Sequence, residues 1–171
     1  WMPTLPDYLF LSFAAWRLGA VVVSVNTRFQ SSEVDHVVGG QRPKMLAFTP
    51  GFAEIDFPAI LGRVPAAALA SITPVVAQGE DAVGFELPDA LAHARVVPAA
   101  ALDDAVEMME DRATPDSPCV TFTTSGTTRA PKFVLHNHRG VAGHMRDVAD
   151  ALGFVAPDAV TLQATPLCAV Y

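Results

Sequence analysis

Cys119-Val120-Thr121-Phe122-Thr123-Thr124-Ser125-Gly126-Thr127-Thr128-Arg129-Ala130-Pro131-Lys132-Phe133 is the stretch on which the fold turns. Cys119 to Thr123 is a short run of small and β-branched residues, the composition of a strand, and Phe133 to Leu135 reads as a second. Between them, Thr124, Ser125, Thr127 and Thr128 offer four hydroxyl donors. Gly126 lets backbone amides approach an anion with no side chain in the way, and Lys132 adds a mobile positive charge. Amides in such a turn form a concave anion site, and a lysine acts on phosphate as a point charge. An exposed turn with no ligand has the same composition, because hydroxyl residues with Gly and Pro are ordinary loop material. The GxxxxGK[ST] phosphate loop is absent, since the fifth residue after Gly126 is Pro131.

Upstream of this loop the chain alternates helices and strands. Asp7 to Leu18 carries Leu9, Phe10, Phe13, Ala14 and Trp16 at helical spacing, with Pro6 before it and Gly19 after it. Ala20 to Val25 follows as an unbroken run typical of a parallel strand covered on both faces. Ser31, Ser32 and Glu33 offer N-cap chemistry for a helix through Val38, which Gly39-Gly40 is expected to stop. Lys44 to Phe48 reads as the next strand, Glu54 to Leu61 as a helix, and Ile72 to Val76 as a strand. Gln78 to Pro98, rich in Gly, Pro and acidic residues, suggests surface connections. Ala99 to Arg112 reads as a helix or an irregular turn. Arg139 to Leu152 has helical spacing closed by Gly153, and Val160 to Ala164 reads as a last strand. The expected fold class is α/β, with a partly or mainly parallel sheet and flanking helices.

Composition narrows the function classes. Hydrophobic residues make up 51% of the 171 and charged residues 17%, so the chain either hides much of its surface or belongs to something larger. The longest apolar run, Tyr8 to Val25, is interrupted by Arg17 and Gly19 and falls short of the roughly 20 residues a membrane span needs. The net charge of −7, with no cluster of Lys and Arg, argues against nucleic acid or an anionic membrane as partner. Cys119 and Cys168 have neither CxxC nor metal-finger spacing, which suits a reducing, cytoplasmic compartment. No secretory signal precedes the first helix, and the opening on Trp1 is expected to be a cut end.

The order of residues in the loop adds a resemblance. Thr124-Ser125-Gly126-Thr127-Thr128-Arg129-Ala130-Pro131-Lys132 resembles the TSGTTGxPKG phosphate loop of the ANL superfamily, the AMP-forming acyl- and aryl-CoA synthetases, luciferases and peptide-synthetase adenylation domains. Phe13 to Val23 followed by Asn26-Thr27-Arg28, then His138, then Thr165-Pro166-Leu167, agree with the family in order and spacing. Arg129 and Phe133 stand where the common motif has glycines. The resemblance implies that residues 1–171 are one partial AMP-binding domain, part of the family's large N-terminal domain, with the phosphate loop at 123–133 and the remaining N-terminal part and C-terminal domain absent. It implies an ATP-dependent acid–CoA ligase, with ATP, Mg²⁺, CoA and a carboxylic acid, fatty or aromatic, as reactants. In such enzymes the loop grips the β and γ phosphates while the carboxylate attacks the α phosphate. Thr124, Ser125, Gly126, Thr127, Thr128 and Lys132 would share that task, with Lys132 placed at the developing charge. The family's Mg²⁺-binding Glu, ribose-binding Asp and C-terminal lysine would follow Tyr171, so this stretch alone is expected to be inactive. A non-catalytic phosphate-binding or interaction module of the same fold is the alternative.

Other candidates weigh less. Tyr171 is a weak candidate for the acyl pocket, and Ala169 stands where many relatives carry His. His136, His138 and His144 cluster in sequence, but no close Cys, Asp or Glu completes a ligand set, so no metal site is expected. The acidic stretch from Asp103 to Asp111 reads as a solvated face. Oligomeric state is not encoded in any pattern of the sequence.

Overall fold

A computed structural model describes residues 1–79, 85–99, 110–124, 131–160, 162 and 167. The first helix, α1 (Pro6–Arg17), begins with Pro at its first turn, where a fixed φ helps and the missing N–H costs nothing. It ends in a Schellman turn. Gly19 takes φ +75, its N–H bonds Trp16 O at 2.9 Å, and Ala20 N–H bonds Ala15 O at 2.9 Å. Closing the helix commits Ala20, which is why strand β1 spans only Val22–Val23 rather than the expected run from Ala20 to Val25. One further bond, from Ser24 N–H to Thr121 O, continues the pairing beyond it.

Helix α2 (Ser31–Gln41) corrects another expectation. It starts one residue earlier in its capping, with Gln30 N–H bonded to Glu33 Oε2 at 3.1 Å, and it runs straight through Gly39-Gly40. Packing explains Gly40 better than termination does, whereas a methyl on Gly39 would make only ordinary contacts. A Cβ on Gly39 would lie 3.5 Å from the Ala68 methyl, and one on Gly40 would lie 2.8 Å from the ring of Phe133. Arg42, in the left-handed region with φ 47, ends the helix instead.

Strand β2 (Leu46–Phe48) lies within the expected segment. The expected helix over Glu54 to Leu61 divides into a 3-10 turn at Phe52–Glu54 and α3 (Phe57–Leu61), because the Asp56 carboxylate caps Ala59 N–H at 2.9 Å. A one-turn helix, α4 (Ala66–Leu69), leads into β3 (Pro74–Ala77). The region read as surface connections contains a 3-10 turn at Asp89–Leu91 and a strand, β4 (Arg95–Pro98). Two valines between Arg and Pro are too short a run to stand out, and the strand exists because β3 offers it a parallel edge. Strands β5 (Pro118–Thr124) and β6 (Lys132–Asn137) and helix α5 (His138–Leu152) match their expected segments. Most of the possible helix at 99–112 and of the strand at 160–164 falls outside the described residues.

Among the described residues the strands form two sheets, β1-β5-β6 and β2-β3-β4. β2, β3 and β4 are all parallel, β1 is parallel to β5, and β6 is antiparallel to β5. The architecture is therefore α/β with a mainly parallel sheet component, as composition and order suggest. The core lies between the β2-β3-β4 sheet and α2, α3 and α4. Phe48, Phe57, Leu61, Leu69, Ile72 and Leu91 are fully buried there, and the Trp1 ring meets Phe57 edge-on at 4.6 Å.

Between the two sheets lies a slot of about 600 Å³, lined by Val21, Val23, Leu46, Ala47, Tyr8 and Ser12 among others. Strand parity explains its walls. Lys44 O and Phe48 O accept from Thr73 N–H and Gln78 N–H, the residues just before and just after β3, so Ala47 turns its carbonyl to the opposite edge, where Trp1 N donates to it at 2.9 Å. Helix α5 carries Met145 and Leu152 exposed. No helix among the described residues is long and apolar enough to cross a membrane.

Candidate functional site

The β5–β6 hairpin brings the two ends of the loop together. Its register pairs Thr124 with Lys132 and Thr123 with Phe133. Residues directly opposite in an antiparallel pair share a face, with Cβ atoms about 4.5–5.5 Å apart. The Thr124 hydroxyl and the Lys132 ammonium therefore arise side by side at the mouth of the loop, the threonine half-buried and the lysine exposed. Both groups donate hydrogen bonds, and one is a cation, a pairing suited to a phosphate oxygen. Ser125, Gly126, Thr127, Thr128 and Arg129 lie outside the described residues, as does Tyr171.

Phe133, next along β6, points to the opposite face from Lys132 and packs against the core. Its ring lies parallel to the imidazole of His36 on α2, with centroids 4.9 Å apart and 12° between the planes. His36 Nε2 also reaches the carbonyl of Pro131 at 2.7 Å. The residue that stands in place of a motif glycine is thus a packing residue. His36 was not singled out by the sequence. Its only signal is Gly40 one helical turn later, which opens space for a ring beside the histidine.

The remaining candidates serve the framework. His136 faces Phe122 edge-on at 5.8 Å, and its backbone carbonyl accepts from Cys119 Sγ at 3.4 Å. Burial pushes the Cys119 thiol up from its ordinary range, so this cysteine is a neutral core residue. His138 meets the Trp16 ring edge-on at 6.1 Å, and the Trp16 indole N–H is tied to Cys119 O at 2.7 Å. His144 is exposed on α5. Among the described residues no group of three His, Cys, Asp or Glu side chains gathers as a metal cage would require. Of the acidic stretch, Glu110 and Asp111 lie within the described residues; both are exposed, and Asp111 pairs with Arg17 at the surface. The entrance to α5 is fixed by Asn137, whose side chain caps Gly140 N–H at 2.8 Å, and by Arg139, which forks onto Asp116 at 2.8 and 3.1 Å.

Fold and hairpin together define an α/β protein with a hydroxyl- and glycine-rich loop closed by a threonine and a lysine. The chain belongs to the AMP-binding enzyme family, whose model matches residues 1–171. It is 34% identical over 141 residues to the long-chain-fatty-acid–CoA ligase FadD13 of Mycobacterium tuberculosis, covering 82% of this chain and 24% of that protein. It is 26% identical over 157 residues to the acyl-CoA ligase SID4 of Ajellomyces capsulatus, covering 89% of this chain and 26% of that one. Among solved structures, a long-chain-fatty-acid–CoA ligase of Archaeoglobus fulgidus superimposes with a TM-score of 0.72 at 22% identity, over 98% of this chain and 30% of that one. An anthranilate–CoA ligase solved with anthranoyl-AMP superimposes with a TM-score of 0.56 at 20% identity, over 78% and 23% of the two chains. The chain thus spans about a quarter of the length of these curated relatives.

Proposed function

We propose that this chain is the phosphate-gripping part of an AMP-forming acid–CoA ligase. The observation that carries the reading is the pairing of Thr124 with Lys132 at the mouth of a loop with the order Thr-Ser-Gly-Thr-Thr-x-x-Pro-Lys. In this reading a carboxylate oxygen attacks the α-phosphorus of ATP, the bond to the β-phosphate breaks, and pyrophosphate departs with the charge. The CoA thiolate then attacks the acyl carbon, and AMP leaves. Hydroxyls of Thr124, Ser125, Thr127 and Thr128, the backbone at Gly126, and the Lys132 ammonium bind the departing phosphates and stabilise charge as it accumulates. Mg²⁺ bound to the ATP phosphates would supply further charge neutralisation there. The names of the relatives support a fatty or aromatic carboxylic acid as substrate. Cys119, a free buried thiol, suits the reducing cytoplasm.

ATP–pyrophosphate exchange by the longer parent protein, offered a panel of straight-chain and aromatic acids, tests the assignment. Lys132→Ala is expected to lower the exchange rate about 100-fold or more, the scale of losing one preorganised transition-state donor. An unchanged rate would reject the role of Lys132. The 171-residue chain alone is expected to show no exchange, and turnover by it at an ordinary enzymatic rate would overturn that expectation.

A further inference from the structure

We propose that His36 is a positioning residue for Lys132, acting from α2 on the residues either side of the lysine. The proposal rests on the phosphate-loop reading above. Pro131 and Phe133 flank Lys132, and His36 touches both. Its Nε2 lies 2.7 Å from Pro131 O, and its ring stacks on Phe133 at 4.9 Å and 12°. A carbonyl oxygen only accepts, so Nε2 carries the proton and donates it. That bond fixes the tautomer, and the stack fixes the plane of the ring.

The arrangement depends on a third residue. Gly40 sits one turn beyond His36, where a Cβ would come within 2.8 Å of Phe133 Cε2 and 3.1 Å of Cζ. The side chain that replaces a glycine of the resembled motif is thus received by a gap in α2 and faced by an aromatic partner. Alternation along β6 sends Phe133 toward α2 and Lys132 to the other face. With the backbone held on both sides, only the lysine side chain is left to search, so its ammonium starts from a fixed base. A lysine has four rotatable side-chain bonds, and added freedom at its backbone would dilute the productive geometry further.

A double-mutant cycle on ATP–pyrophosphate exchange in the parent protein tests this, using the acid with the highest rate in the panel. His36→Ala is expected to lower kcat about two- to tenfold, the range of one hydrogen bond converted to a rate ratio, while leaving KM for the acid unchanged. His36→Gln, which retains an N–H for Pro131 O, is expected to restore part of the loss. In the Lys132→Ala background His36→Ala is expected to have no further effect, because its influence passes through the lysine. A wild-type rate in His36→Ala, or the same additional loss in both backgrounds, overturns the proposal and leaves the phosphate-loop reading standing. An unchanged rate in Lys132→Ala rejects that reading first, and the proposal with it. Should His36→Ala fail to fold, His36→Gln and His36→Phe, which keep the bond and the ring respectively, carry the same cycle.

Discussion

Thr124 and Lys132 face one another across the β5–β6 hairpin, the last residue of one strand opposite the first of the next. Eight positions apart in the chain, they become neighbours through strand pairing, and the loop between them is held at both ends. A phosphate bound at its mouth would meet a hydroxyl and an ammonium whose backbones are fixed before it arrives. Preorganisation of this kind is where electrostatic stabilisation gains its strength, since no reorganisation is needed as charge develops.

Thr124→Val keeps the β-branched shape that β5 prefers and removes the hydroxyl. If the hydroxyl donates to a charged phosphate oxygen, its loss costs about 1.5–3 kcal/mol, or about ten- to hundredfold in exchange rate. Steady-state exchange in the parent protein, alongside Thr124→Ser, measures this. Thr124→Ser is expected to retain most of the rate, and equal rates for Val and wild type would exclude the hydroxyl from the reaction.

Adjacent glycines of α2 should answer oppositely to the same substitution. Gly39 has helical geometry and ordinary contact distances for a methyl, 3.5 Å to Ala68 and 3.6 Å to the Asp35 carboxylate. Gly39→Ala is therefore expected to stabilise by about 0.5–1 kcal/mol, the helix-interior cost of glycine. In Gly40→Ala the new methyl meets the Phe133 ring, wedged against His36, and overpacking of this kind costs about 1–3 kcal/mol. Urea unfolding midpoints of the two variants decide, and stabilisation by both would mean that Phe133 moves aside freely.

These two glycines also show where sequence reading reached and where it stopped. Local signals were legible: Pro6 and Gly19 bracket α1, Gly153 closes α5, and the change from β-branched residues to hydroxyls marks the end of β5. The order of residues in the loop was legible too, whereas the pairing of Thr124 with Lys132 comes from the hairpin register. Gly39-Gly40 misled because a helix stop and a packing gap use the same residue, and only the distant Phe133 distinguishes them. β4 was missed for a related reason, since two valines become a strand when β3 supplies an edge. His36 was invisible because it meets Pro131 across 95 positions of sequence.

Acidification should loosen the start of α2. The Glu33 backbone N–H, the Ser32 hydroxyl and the Gln30 N–H all donate to the Glu33 carboxylate and hold its pKa below the ordinary value of 4.5. A depressed folded-state pKa means that the native state favours the ionised form. Its contribution is present above the unfolded pKa and disappears as pH falls through the folded one. Glu33 is half-buried at the end of the helix, where solvent screens its charge, so the effect is small and belongs to that end. Urea midpoints on descending through pH 4.5 are expected to fall more for wild type than for Glu33→Gln. Identical pH dependence in the two proteins would remove Glu33 as the cause.

Cys119 should report on whether the hairpin stays closed. Its side chain is 1% exposed near the start of β5, its Sγ donates to His136 O on β6, and burial raises its pKa. The thiolate is the reactive form, so both access and ionisation slow alkylation in the native state. The raised pKa also fixes a sign: the stability that Cys119 contributes is complete below the unfolded thiol pKa and is lost as pH rises through the folded one. In a Cys168→Ser background, iodoacetamide labelling of Cys119 at neutral pH is expected to be at least 100-fold slower than in 6 M urea, because reaction then waits on opening of β5 from β6. A Phe133→Gly variant removes the stack on His36 and is expected to label faster than wild type, since the hairpin loses its anchor on α2. Equal labelling rates in the two would show that β5 and β6 hold together without that contact.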